Sequence, residues 1–295
     1  MDRVTHSLCR VLRSLTLGAL LLGSGAADAG PVPIPVINPS FEANPVSPGC
    51  FAVFGPQGWE AFDPGGILDS SLDVLGGLHP QGGPYYVAPP PDGQHVAIVF
   101  LSGDTGTTPA GLRQFLGATL EPNLRYTLSV GVGNIASGTG PPPCDVFGFF
   151  NLDGFPGYQV QLLAGGVVIA QDDNTLDGQL GEGEFGTSIV ELDVDADHPQ
   201  IGQTLEIRLI NLNLPGTVAE PGIEVNFDDV QLTATPLGTK CPADLTGDGV
   251  LDFFDVQLFL AAFAASNEAA DFNGDGLFDF FDVQLYLQAF AAGCP

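Results

Sequence analysis

The chain has 295 residues, 35 acidic and 7 basic, and a formal net charge of −28. Binding phosphate needs clustered Lys and Arg, so the charge excludes nucleic acid and anionic membrane surfaces as partners and leaves divalent cations compatible. Apolar residues make up 44% of the chain, an ordinary globular share, and 40 Gly with 25 Pro favour short strands and turns over long helices.

Residues 1–29 read as an export signal. Arg3, Arg10 and Arg13 give a positive start, Leu15 to Leu22 an apolar run, and Ala27-Asp28-Ala29 a small-x-small cleavage site. The run is too short to span a bilayer and no later stretch reaches eighteen apolar residues. The expectation is a secreted or cell-surface protein whose mature chain begins at Gly30, with no transmembrane anchor.

Residues 30–234 carry short strand-like runs between Gly/Pro clusters. The runs are Gln94–Leu101, Tyr126–Val132, Tyr158–Ala164, Gly166–Gln171, Ser188–Val194, Leu205–Ile210 and Ile223–Leu232. In the first, Val96, Ile98 and Phe100 hold one parity. Many short strands without a helical period predict a β-sandwich.

The ends of this region are its most specific part. It opens on Val36-Ile37-Asn38-Pro39-Ser40-Phe41-Glu42, followed by Gly58-Trp59. It closes on Ile223-Glu224-Val225-Asn226-Phe227-Asp228-Asp229-Val230-Gln231-Leu232. These ends resemble the galactose-binding-like jelly roll of carbohydrate-binding modules. That resemblance implies a structural calcium shared by Glu42 and Asp228 or Asp229; a turn-adjacent acid pair accounts for the same residues equally well. Ile223, Val225 and Phe227 hold one parity and Val230 and Leu232 the other, which predicts a bulge at Asp228-Asp229. For a glycan face, Tyr85-Tyr86 is the one pair expected to be exposed. Trp59, Tyr126 and Tyr158 are expected in or near the core.

A linker, 235–240, leads to residues 241–295, an internal repeat. Asp244–Ser266 and Asp271–Gly293 align at an offset of 27 with 16 of 23 positions identical. Each repeat begins with the oxygen-ligand spacing of an EF-type calcium loop. In the first, Asp244, Thr246, Asp248, Asp252 and Asp255 stand at positions 1, 3, 5, 9 and 12, and Val250 offers its carbonyl at position 7. In the second they are Asp271, Asn273, Asp275, Asp279 and Asp282, with Leu277. Two calcium ions are expected here and one more in the sandwich. Thr246 makes the first loop the weaker site. Helices are expected to follow, on Val256, Phe259, Leu260 and Phe263 and on Val283, Tyr286, Leu287 and Phe290.

Two loop-plus-helix units without an entering helix resemble the type I dockerin domain, of a cysteine-flanked bacterial subtype. The resemblance implies docking onto a cohesin-like module of a scaffold or surface protein. Phe253, Phe254, Phe280 and Phe281, where many dockerins carry small hydroxyl residues, become the partner-binding rings.

Cys9 leaves with the signal. Of the three pairings open to the other four cysteines, locality favours Cys50–Cys144 and Cys241–Cys294. His79, His95 and His198 read as surface or turn residues, and no nucleophile elbow or phosphate loop occurs. The resulting expectation is a mainly β jelly roll followed by a small helical calcium-binding domain. Its function is then non-catalytic display through docking, with a glycan as a further partner of the sandwich. The alternatives are a glycan-active hydrolase of polysaccharide breakdown and an adhesive surface protein.

Overall fold

The structure, a computed structural model, describes residues 30–68, 73–81, 83–103, 106–216, 222–237 and 241–293. The export signal and Cys294 lie outside the described residues. Among the described residues, no helix is long and apolar enough to cross a membrane.

Two antiparallel sheets form a sandwich, as the turn-punctuated short runs require. The larger sheet contains β1 (Val32–Ile34), β2 (Phe51–Val53), β4 (Val74–Leu78), β5 (Val96–Leu101), β7 (Leu124–Asn134), β12 (Glu184–Val194) and β14 (Ile223–Pro236). Its order is β12-β7-β14-β5-β4-β2, with β1 also on β14. The smaller sheet runs β11-β10-β13-β6-β3. Its members are β3 (Glu60–Phe62), β6 (Ala110–Thr119), β10 (Tyr158–Ala164), β11 (Val167–Asp173) and β13 (Thr204–Asn211). A two-stranded piece pairs β8 (Gly138–Thr139) with β9 (Phe149–Phe150). Every predicted run falls on one of these strands, with Gln94, His95 and Gly166 lying just before β5 and β11.

The inter-sheet core takes one parity of each strand: Leu112 and Leu116, Leu128 and Val130, Val160 and Leu162, Ile207 and Leu209, Val225 and Phe227. Trp59 joins it, packed on Phe41 and donating its indole N–H to the Asn38 carbonyl. Tyr126 and Tyr158 are buried in it too. Burial of each large aliphatic contributes about 2 kcal/mol before entropy is counted.

The predicted bulge is present. The register of β14 against β7 shifts between Asp228 and Gln231, and Asp229 has φ +47°. The extra residue lets Val230 and Leu232 return to the core that Val225 and Phe227 already face. β14 continues through Pro236, so Thr235 and Pro236, assigned to the linker, belong to the last strand.

One strand departs from its expected parity. In β5, Ala97 and Val99 face the inter-sheet core, whereas Val96 and Ile98 face out of the sandwich. There they meet a second apolar layer that includes Leu78, Tyr85, Tyr86, Ile135 and Leu152. The outer face of the larger sheet is therefore covered. A disulfide between Cys50 and Cys144, with Cα atoms 5.6 Å apart, ties the 135–157 segment to the start of β2.

The repeat folds as α1 (Phe253–Ala264) and α2 (Phe280–Ala292), each after its acidic loop. Phe259 and Tyr286 stack at 4.0 Å and Phe272 meets both edge-on. Leu260 and Leu287, expected inside, are exposed, because so small a core buries only a narrow stripe of each helix.

Candidate active site

Period-two alternation decides what the covered outer face presents. Val225 and Phe227 point into the core, so Glu224 and Asn226 point out of the sandwich. The register places Val74, Phe100 and Glu224 in one cross-strand row, and Gly76, Ile98 and Asn226 in the next. Over these rows lies a cavity of about 310 Å³. Phe51 and Val53 of β2 line one side, and Tyr85, Ile135, Phe150 and Leu152 complete the wall. Phe51 packs on Phe147 and Phe150 at 5.2 and 5.4 Å, so the disulfide-tied segment supplies aromatic cover.

Among the described residues, Glu224 is the one carboxylic acid lining this otherwise apolar space. Only 6% of it is exposed. Burial pushes its carboxyl up to about 7, against the pull of a hydrogen bond from Asn226. A carboxylic acid that holds its proton near neutrality inside an apolar cavity is equipped to donate it. Asn226 Nδ2 donates to Glu224 Oε1 at 2.8 Å and to the Ala97 carbonyl at 2.9 Å. Tyr86 donates its hydroxyl to Asn226 Oδ1 at 2.5 Å.

The residues singled out from the sequence fall elsewhere. Tyr85 and Tyr86 are buried, not an exposed glycan pair; Tyr85 lines the cavity and Tyr86 stacks on Phe185 at 4.0 Å. His79 and His95 are also buried, their rings 4.8 Å apart. Glu42 accepts from the Gln94 and His95 backbone N–H groups and from His95 Nδ1. Burial raises the Glu42 carboxyl, yet these bonds hold it below its ordinary range. Asp228 has other hydrogen-bond partners than Glu42. Its Oδ2 accepts from Asp92 N at 2.9 Å, and Asp92 in turn accepts from the Ser40 hydroxyl. Asp228 Oδ1 is buried without a partner, and burial raises this carboxyl to about 8. Asp229 instead accepts from Gln231.

In the repeat, the acidic spacing serves the backbone. Asp244 accepts from Gly247 N and Gly249 N, Asp271 from Gly274 N, Asp275 N and Gly276 N. Asp248 and Asp275 accept from Val250 N and Leu277 N. Asp252 and Asp279 cap the helix starts, and Asp255 and Asp282 close the reciprocal boxes. Thr246 Oγ1 lies 3.1 Å from Asp244 Oδ1 and 3.0 Å from Asp255 Oδ1, whereas Asn273 turns its amide N–H to Asp275. Among the described residues, no three His, Cys, Asp or Glu side chains gather around a metal position. Phe253, Phe254, Phe280 and Phe281 are all exposed. Cys241 is disulfide-bonded.

Sequence reasoning missed Glu224, Asn226 and the whole cavity. A Glu in a strand reads as a solvent-facing position. The contrary signal was the neighbouring strand, apolar on both parities, which marks a sheet covered on both faces.

Comparison with known proteins gives the site its setting. The family described as HpiC1-like, HpiC1 cyclase, matches residues 32–233. Among solved structures, a Stig cyclase from Fischerella sp. TAU in complex with (3Z)-3-(1-methyl-2-pyrrolidinylidene)-3H-indole is 37% identical with a TM-score of 0.61. That match covers 70% of this chain and 98% of the other. A cyclase from Fischerella sp. TAU in complex with 4-(1H-indol-3-yl)butan-2-one is 38% identical with a TM-score of 0.60, over the same shares of the two chains. An apo cyclase from Fischerella sp. is 36% identical with a TM-score of 0.60, covering 70% of this chain and 97% of that one. No curated protein matches.

Three expectations are corrected by these findings. No dockerin family matches the repeat, so the dockerin identity, the cohesin partner and the docking function do not stand. The capping and turn bonds above account physically for the spacing that suggested them. The glycan partner and the link to polysaccharide breakdown fall with the same comparison, and the cavity offers an apolar surface in place of a polar sugar face. The non-catalytic reading is replaced as well, since the relatives are enzymes. With residues 32–233 matched and identities of 36–38% to solved cyclases, the chain belongs to the HpiC1-like cyclase family.

Proposed function

We propose that the protein is an acid-catalysed cyclase whose cavity encloses an apolar, aromatic substrate and whose proton donor is Glu224. The observation that carries this reading is a single buried carboxylic acid, held protonated near neutrality, in a cavity otherwise lined by aliphatic and aromatic groups. Glu224 donates its proton to the folded substrate, and the resulting cation is attacked by a double bond or ring of the same molecule. Loss of a proton to the Glu224 carboxylate then returns the acid, so the product is an isomer of the substrate. Phe51, Phe100, Phe150 and Tyr85 exclude water and offer ring faces to the cation. The indole-bearing ligands of the related cyclases support an indole-bearing substrate here. The test is incubation with alkenyl indoles, followed by chromatography for a product of unchanged mass. Recovery of unreacted material across such a panel would count against the reading.

A second reading concerns the repeat. We propose that its two loops bind calcium. The support is the approach of three oxygens from positions 1, 3 and 12 of the first loop, with Thr246 Oγ1 about 3 Å from both Asp244 and Asp255. Calcium titration of the full chain by calorimetry should show one site lost on Asp244→Ala and another on Asp271→Ala. The Asp244 site should be the weaker. Heats unchanged by both substitutions would overturn the assignment. We propose export as well; the Cys50–Cys144 disulfide supports an oxidising compartment.

A further inference from the structure

We infer that Asn226 is a positioning residue that, locked by Tyr86, keeps the proton of Glu224 on the oxygen facing the cavity. The inference rests on Glu224 being the acid, and it adds why that acid points its proton at the substrate.

The reasoning is one of donors and acceptors. An asparagine amide has an oxygen that only accepts and a nitrogen that only donates. Asn226 Oδ1 receives the Tyr86 hydroxyl, and Nδ2 then faces two acceptors, the Ala97 carbonyl and Glu224 Oε1. Turning the amide over would set its oxygen against the Ala97 carbonyl and make the Tyr86 hydroxyl accept, leaving its own proton without the acceptor it now has. The orientation is thus dictated by the network. Since Nδ2 can only donate, Glu224 Oε1 must accept, and the acid proton resides on Oε2. No described residue bonds Oε2, and Glu224 lines the cavity.

Tyr86 is itself held. Its ring stacks on Phe185 at 4.0 Å with an interplanar angle of 14°. Gly133 leaves the space: a Cβ there would collide with the Tyr86 hydroxyl oxygen and stand 2.6 Å from the Phe185 ring. Burial, with the charge of Glu224, raises both tyrosines that face this acid, Tyr85 and Tyr86, so Tyr86 remains a neutral donor.

The test is a ¹³C NMR titration of side-chain carboxyls in the full chain, with Glu224→Gln identifying the Glu224 signal. In the unaltered protein Glu224 should titrate near neutrality. In Tyr86→Phe only the Ala97 carbonyl still opposes turning, so part of the population turns the amide oxygen to Glu224 and accepts the proton on Oε1, away from the cavity. The midpoint should then rise by about one pH unit while turnover falls about 10-fold. A purely structural role for Tyr86 would lower turnover without moving the midpoint, and that result would overturn the inference. A Glu224 signal in the ordinary carboxyl range in the unaltered protein would instead sink the acid reading, and the inference with it. Should Tyr86→Phe not fold, Phe185→Leu, which unseats the Tyr86 ring and keeps its hydroxyl, is read in the same way with a smaller upward shift expected.

Discussion

Glu224→Gln should reduce turnover by about 10³-fold while leaving the fold and the substrate KM close to their unaltered values. The substitution is close to isosteric. The Gln carbonyl oxygen still accepts from Asn226 Nδ2, and its amide still presents a donor to the cavity. Only proton transfer is removed, so the loss falls on kcat. The same acid sets the pH dependence. Glu224 works protonated and burial raises it to about 7, so the rate should be level below that value and decline as pH rises through it. Glu224→Asp keeps the acid but withdraws it by one methylene, and an intermediate loss of about 10-fold is expected. A steady-state assay on an alkenyl indole substrate checks all three. Full turnover by the Gln variant would remove Glu224 from the chemistry.

That residue was hidden in the sequence for a physical reason. Its strand, Ile223 to Leu232, was legible in position and even in its bulge, because apolar parity and its break are local signals. Burial of the outer face is not local. It depends on Tyr85, Tyr86, Ile135 and Leu152 arriving from other parts of the chain to cover Ile98 and Phe100. Without that cover, Glu224 and Asn226 are two ordinary polar residues of an exposed parity. The repeat erred in the opposite direction. Its signal was strong and local, and the helices it predicted are present. But aspartate is among the residues preferred at turns and at helix N-caps in general. Spacing alone therefore reported the loop's geometry and left its partner undetermined. The tyrosine pair misled for the same reason as Glu224: Gly83-Pro84 marks a turn, and turns are ordinarily exposed.

The second large effect is on stability, and it originates at the bulge. With no cation bound, the melting temperature should fall by on the order of 10 °C as pH is raised from about 4 to about 8. Two buried carboxyls have raised folded-state values, Asp228 at about 8 and Glu224 at about 7. A carboxyl raised on folding contributes stability that is fully present below its unfolded value, about 4, and is lost as pH rises through its folded value. Asp228 contributes more than Glu224, because its charged form is buried with Oδ1 unpartnered and with Asp92 and Asp229 nearby. Melting curves in a chelator across this range check the fall, and Asp228→Asn should remove most of it. We propose that calcium bound beside Asp228 and Asp92 offsets the same penalty. Millimolar calcium at about pH 8 should then restore the melting temperature of the unaltered chain, and of Asp244→Ala and Asp271→Ala, but not of Asp228→Asn. Equal rescue of Asp228→Asn would place the stabilising ion elsewhere. A melting temperature insensitive to pH in the chelator would show that these two carboxyls carry no such cost.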